Sequence, residues 1–245
     1  EIGSGLVGSE MCIRDSAWTY NSDNVSMLPA MINTLFMTVL ALLLSVPFGV
    51  GAAIYLVEYA KKGNKLVGLI RVTAETLSGI PSIIYGLFGM LFFVTALKWG
   101  YSMMAGAATL AIMVLPVIMR TTEEALLCVP DSFREGSFGL GAGKLRTIFK
   151  IVLPSAIPGI LSGIILAIGR IVGETAALIY TSGTVANLAG FFDSGRTLAI
   201  HMYSLSREGM HTNEAYATAV VLLIVVLIIN GVSSLIAKKF EAPKQ

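Results

Sequence analysis

Two charged side chains stand where charge is expensive. Arg170 and Glu174 fall inside Ser155–Thr181, a stretch dominated by Ile, Leu, Ala and Gly. Either charge at the centre of a membrane helix costs roughly 2.5–3.5 kcal/mol or more, so a pair without a purpose is not expected there. In one continuous helix their i, i+4 spacing puts them on one face, within reach of each other. One reading is a structural pair that holds a helical bundle together. The other is an anion path, because a guanidinium offers a planar fork matched to oxyanion oxygens. On that reading Glu174 orients Arg170 and tempers its attraction, since a conducting site must also release what it binds. Thr175 beside them is a hydroxyl donor or a packing residue.

Other chemistry is less well supported. Gly141-Ala-Gly-Lys144-Leu145 looks like a phosphate-binding loop, but Phe138 replaces its first glycine and Leu145 its Ser/Thr. ATP binding by this chain is therefore rejected. His201 and His211 lack metal-ligand spacing and read as surface histidines of a loop. Cys12 and Cys128 form neither a disulfide framework nor a C-x-x-C site. An intramembrane hydrolase is a remote alternative, since it needs a nucleophile with its base inside the bilayer and no His or Lys lies mid-span.

The elements that must position these residues are helices in lipid. Of 245 residues, 55% are apolar and 13% charged, and mean hydropathy is +0.79, the composition of a polytopic membrane protein. Five apolar stretches are long enough to cross a bilayer, about 28–59, 77–97, 102–119, 155–181 and 214–237. The fold class expected is an all-α helical bundle, with residues 17–245 forming one transmembrane domain. Residues 1–16 differ in character from the remainder and read as a non-native segment. Lys and Arg concentrate in 60–75, 120–153 and 238–245, and the positive-inside rule makes these segments cytoplasmic. Glu58 and Glu75, at span ends, read as snorkelling or lysine-paired. Glu123, Glu124 and Asp131 read as solvated or helix-capping charges.

The polar middle segment 121–153 carries the most specific pattern. Glu135 is followed six residues on by Gly141, and then by Ile151, Leu153 and Pro154. This resembles the E-A-A-x-x-x-G-x(9)-I-x-L-P loop of ABC-importer permeases, with Gly136 and Ser137 in place of its two alanines. Both replacements are small, although Gly136 weakens a helix by about 1 kcal/mol relative to Ala. A small-residue helix can seat against a partner, and the glycine then lets the chain turn. Pro154 is expected at the start of a span, where a missing N–H does no harm.

Four further strings extend the likeness, Leu56–Ala60, Ser78–Phe88, Leu115–Leu126 and Gly169–Leu178. With them the chain resembles the PstA-type permeases of the phosphate ABC importer from about residue 28 onward. The resemblance implies the type I importer permease bundle, usually with one more N-terminal helix than the five read here. It implies phosphate passage by way of Arg170, Glu174 and Thr175. It assigns ATPase coupling to Glu135, Gly136, Ser137, Gly141, Ile151, Leu153 and Pro154. No catalytic site, metal or cofactor is implied on this chain; ATP and Mg belong to a partner ATPase dimer (PstB-type). The other implied partners are a second permease (PstC-type), a phosphate-binding protein (PstS-type) docking near 182–213, and the lipid bilayer, with no nucleic acid. The implied location is a bacterial or archaeal cytoplasmic membrane. Molybdate or sulfate is the alternative cargo.

Overall fold

The computed structural model describes residues 26–60, 64–209 and 212–240. The expected non-native segment 1–16, Cys12 and His211 lie outside the described residues. Among those described, the chain is helical with no strand. In chain order the helices are α1 (Leu28–Tyr59), α2 (Lys65–Ser78), α3 (Ser82–Ala96), α4 (Met103–Leu127), α5 (Asp131–Gly139), α6 (Lys144–Val172), α7 (Ala176–Ile179), α8 (Leu198–Glu208) and α9 (Thr212–Phe240). Length and apolarity suit α1, α4, α6 and the Thr212–Val232 part of α9 to crossing a membrane. A fifth crossing needs α2 and α3 together, and these are bent by 101° at their junction.

The span expected over 77–97 is interrupted near its start. Leu77 and Ser78 end α2, and α3 restarts beyond Gly79-Ile80-Pro81. Pro81 holds φ −57° and ψ 139°, an extended geometry that cannot continue the preceding helix. Upstream, α2 begins behind Asn64, whose side-chain oxygen accepts from the Leu66 N–H at 3.1 Å and caps the helix.

Two compact units make up the fold. One comprises the chain up to Leu44, Ile80–Met113 and Ile168–Ile229; the other comprises Ser45–Gly79, Val114–Ala167 and the chain from Asn230. In the first, Met103, Leu110, Met113, Leu178, Leu198 and Ile200 are fully buried. The long loop before α8 is fastened to α1 by one amide. Asn33 donates to the carbonyls of Asn187 (2.9 Å) and Arg196 (3.2 Å) and accepts from the Ala189 N–H (3.1 Å). Thr34 Oγ1 accepts from the Leu198 N–H at 2.8 Å, satisfying an orphan donor at the start of α8.

His201 corrects the surface reading given to it above, for it is 1% exposed on α8. Burial, followed by the nearby positive charge of Arg196, pushes its imidazole pKa down from 6.5 to about 3. The folded state therefore holds neutral His201, while the unfolded chain takes up a proton below pH 6.5. Stability is fully present above that value and is lost as pH falls toward 3, at no more than about 1.4 kcal/mol per pH unit. Thermal melting of the purified protein should fall between pH 6.5 and 5, and His201→Leu should flatten that slope.

In the second unit, Ala53, Leu56, Val67, Ala74, Met119, Leu126, Val152, Ala156 and Ile160 form one apolar cluster. Here α4 and α6 touch almost backbone to backbone. A Cβ on Gly163 would lie 1.9 Å from Thr121 Oγ1 and 2.7 Å from Thr121 Cβ. Glu123 is buried at 8% exposure and pairs with Arg71 rather than being solvated. Arg120 reaches Glu75 (3.6 Å) and Glu124 (3.3 Å) on an exposed face, where such pairs contribute little.

Candidate functional site

The first candidate site sits where α6 ends. The helix stops at Val172, with the Gly173 N–H on the Gly169 carbonyl (3.4 Å) and the Glu174 N–H on the Ile171 carbonyl (3.2 Å). Thr175 leaves helical geometry at φ −120° and ψ −50°, and the four-residue α7 follows. The expected unbroken span over 155–181 is thus divided, and its start is displaced as well, since α6 begins at Lys144.

The break changes the pairing. Glu174 does not bond to Arg170; its Oε1 accepts from the Ala177 N–H at 3.1 Å and caps α7. Glu174 is buried at 9% exposure. Glycine has poor helix propensity, and a carboxylate that can cap the next helix stabilises a stop after it. Arg170 stays on the last turn of α6, half-buried, where the negative end of the helix dipole favours a cation. It forms no hydrogen bond or ion pair with the described residues. Its guanidinium lies within electrostatic range of the buried Tyr85 of α3. Behind them α7 lies directly on α3: a Cβ on Gly86 would meet Ala177 Cα at 2.8 Å. Thr175 makes no side-chain cap and is half-buried. The arrangement is a cation with uncommitted donors beside a phenol, with the carboxylate already occupied.

The second candidate site is a helical elbow. Glu135, Gly136 and Ser137 lie on α5, and Glu135 and Gly136 are exposed. Ser137 is buried, its hydroxyl 2.8 Å from that of Thr147 on α6, so it pins the two arms together. A Cβ on Gly136 would meet nothing within 4 Å, leaving room for the alanine of the related loop. Between the arms, Gly141 turns the chain at φ +79°, a left-handed conformation natural to glycine. The Gly141 N–H bonds to the Phe138 carbonyl (2.9 Å) and the Ala142 N–H to that of Ser137 (3.1 Å), closing the end of α5.

Pro154 does not open a helix. It falls ten residues into α6, directly after a π-helical turn at Ile148–Val152 in which the Leu153 N–H bonds to the Ile148 carbonyl. The wider turn accommodates the ring and its missing donor inside a continuing helix. Ile151 and Leu153 are half-buried around that turn. The elbow presents a cleft of about 550 Å³ lined by Phe133, Gly136, Leu140, Arg146 and Lys150 among others. Leu140 at its tip is 91% exposed.

One side chain near the elbow carries more than the pattern suggested. Arg134, immediately before Glu135, is 14% exposed and faces Glu58 at 9%. Its Nε and Nη2 donate to Glu58 Oε1 at 3.1 and 2.9 Å. Nη1 donates to the Val129 carbonyl (2.7 Å) and Asp131 Oδ1 (3.2 Å), and Nη2 to the Leu126 carbonyl (3.0 Å). Glu58 is therefore neither snorkelling nor lysine-paired, and Asp131 is held as well as exposed. The separation of 76 residues hid this pair; a basic residue beside Glu135 and a carboxylate ending a span were the signals available.

A family profile described as "binding-protein-dependent transport system inner membrane component" matches residues 45–242. The chain belongs to this family. Among relatives of the permease, a probable ABC transporter permease protein YqgI of Bacillus subtilis is 36% identical over 233 residues, covering 86% of this chain and 79% of the relative. The phosphate transport system permease protein PstA 1 of Mycobacterium tuberculosis (strain H37Rv) is 37% identical over 211 residues, covering 84% and 68%. PstA of Yersinia pestis is 37% identical over 204 residues, covering 81% and 68%. Solved structures share the fold. A chain of the inward-facing MetNI methionine ABC transporter superposes with a TM-score of 0.68 at 20% identity, covering 87% of this permease and 94% of that chain. A chain of a bacterial ABC transporter that imports alginate gives 0.70 at 15%, covering 98% and 90%. The expected importer-permease bundle is the fold of this multi-pass membrane protein.

Proposed function

We propose that this permease is the membrane subunit of an ATP-driven importer carrying inorganic phosphate inward across the cytoplasmic membrane of a bacterium or archaeon. The glycine-turned elbow of Glu135–Pro154 carries the reading. It offers a short helix with one exposed face, an exposed apolar tip and a cleft rimmed by Arg146 and Lys150. Such a surface suits docking onto a separate ATPase dimer, which would hold ATP and Mg. Relatives named as phosphate permeases support phosphate as the cargo, and Arg170 supplies donors matched to its oxygens. A second permease would complete the path, and a phosphate-binding protein would deliver the ion to the opposite face. Chemistry on this chain is confined to binding and release.

The elbow is tested by Glu135→Arg. The expected result is loss of the ATPase from the purified complex, while the variant still reaches the membrane. Retention of the ATPase at normal yield would contradict the docking role.

A further inference from the structure

We propose that Arg134, with Glu58, is the joint that passes displacement of the docking helix α5 to α1 and α4. The inference rests on the importer reading of the elbow and adds the residue that transmits its motion.

A guanidinium has five N–H donors, and Arg134 uses all of them. Two bond to Glu58 at the end of α1. Two bond to the carbonyls of Leu126 and Val129, one in the last turn of α4 and one just beyond it. The last holds Asp131 at the start of α5 itself. Orphan carbonyls at a helix end accept a cation well, because the dipole favours positive charge there. The joint is also nearly dry, with 14% and 9% of the two side chains exposed. Among the described residues, no other hydrogen bond or ion pair links α5 to α1.

The two ends of α5 are unequal. Toward α6 the chain turns at Gly141 and is tied by one neutral side-chain hydrogen bond, Ser137 to Thr147 at 2.8 Å. Toward α1 and α4 it is locked by a saturated fork. A push on the exposed face of α5 is therefore borne at the Arg134 end, one residue from Glu135. Lysine cannot replace it, because an ammonium has three donors on a flexible stem and no fork.

The test measures phosphate transported per ATP hydrolysed, with the complete transporter in proteoliposomes. For Arg134→Lys the expected result is retention of the ATPase on purification and a fall of about fivefold or more in that ratio. Glu58→Gln should lower the ratio in the same direction. The double variant should be no worse than Arg134→Lys alone, since both remove one contact. A ratio within about twofold of the unmodified complex in both single variants overturns the proposal. So does a parallel fall of uptake and hydrolysis at constant ratio, the signature of a merely structural role. The unmodified complex separates the two claims. If it moves no phosphate with ATP, the importer reading fails and takes the joint with it; if it does and the variants match it, the joint alone fails.

Discussion

Phosphate uptake by the assembled transporter is expected to fall at least about tenfold on Arg170→Gln, with the subunits still assembling. Arg170 is half-buried at the end of α6 and bonds to no described residue, so removing its charge leaves no partner orphaned. Glutamine fits the same space and keeps a hydrogen-bonding tip, but loses the charge and the fork. One charge-assisted bond is worth about 1.5–3 kcal/mol, which converts to tenfold or more in a binding or rate constant. Glu174→Gln should differ in kind. The glutamine carbonyl can still accept from the Ala177 N–H, so α7 stays capped and uptake falls less. Glu174→Leu removes the cap and should cost about 1 kcal/mol of stability. Normal uptake by Arg170→Gln, at normal complex yield, would remove Arg170 from the phosphate path.

Gly163→Val is expected to lower accumulation of the permease in the membrane sharply. The added Cβ would sit 1.9 Å from Thr121 Oγ1 and 2.7 Å from Thr121 Cβ, far inside van der Waals contact. Neither α4 nor α6 has room to yield locally, since a Cβ on Gly159 would likewise lie 2.5 Å from Ala125 Cβ one turn earlier on the same pair of helices. Overpacking of this kind costs about 1–3 kcal/mol or more, enough to unfold a marginal bundle. The partner residue supplies the control. Thr121→Gly should restore much of the yield of Gly163→Ala, whereas Thr121→Ala should restore less because its Cβ remains. Equal yields for unmodified protein and Gly163→Val, measured by immunoblot of membranes, would contradict the packing.

Local pattern revealed the apolar spans, the fold class and the Glu135–Pro154 pattern, because each depends on residue types at short, fixed spacing. Glu135, Gly141 and Pro154 are recognisable without knowing what surrounds them. The surroundings nevertheless set the detail at Pro154 and at the neighbouring Ser137. Pro154 resides inside a helix because a π turn absorbs it, and Ser137 holds the elbow through Thr147. The Arg170 site was legible in composition but not in geometry. Gly159, Gly163, Gly169 and Gly173 look alike in sequence, yet only the last ends α6. What distinguishes Gly173 is tertiary: Glu174 caps α7, and α7 rests on Gly86 of α3. The Arg134–Glu58 joint and the burial of His201 depend on contacts made at long range or across a loop, which no periodicity encodes.

The central claim is that an ATPase carried on a separate subunit drives this permease through the Glu135–Pro154 elbow. The most direct measurement is radiolabelled phosphate uptake into proteoliposomes holding the permease, its partner permease, the ATPase and a phosphate-binding protein, with ATP or a non-hydrolysable analogue supplied on the elbow side. Uptake with ATP alone, abolished when the ATPase is omitted, is the predicted result. Uptake that continues unchanged without the ATPase would contradict the account.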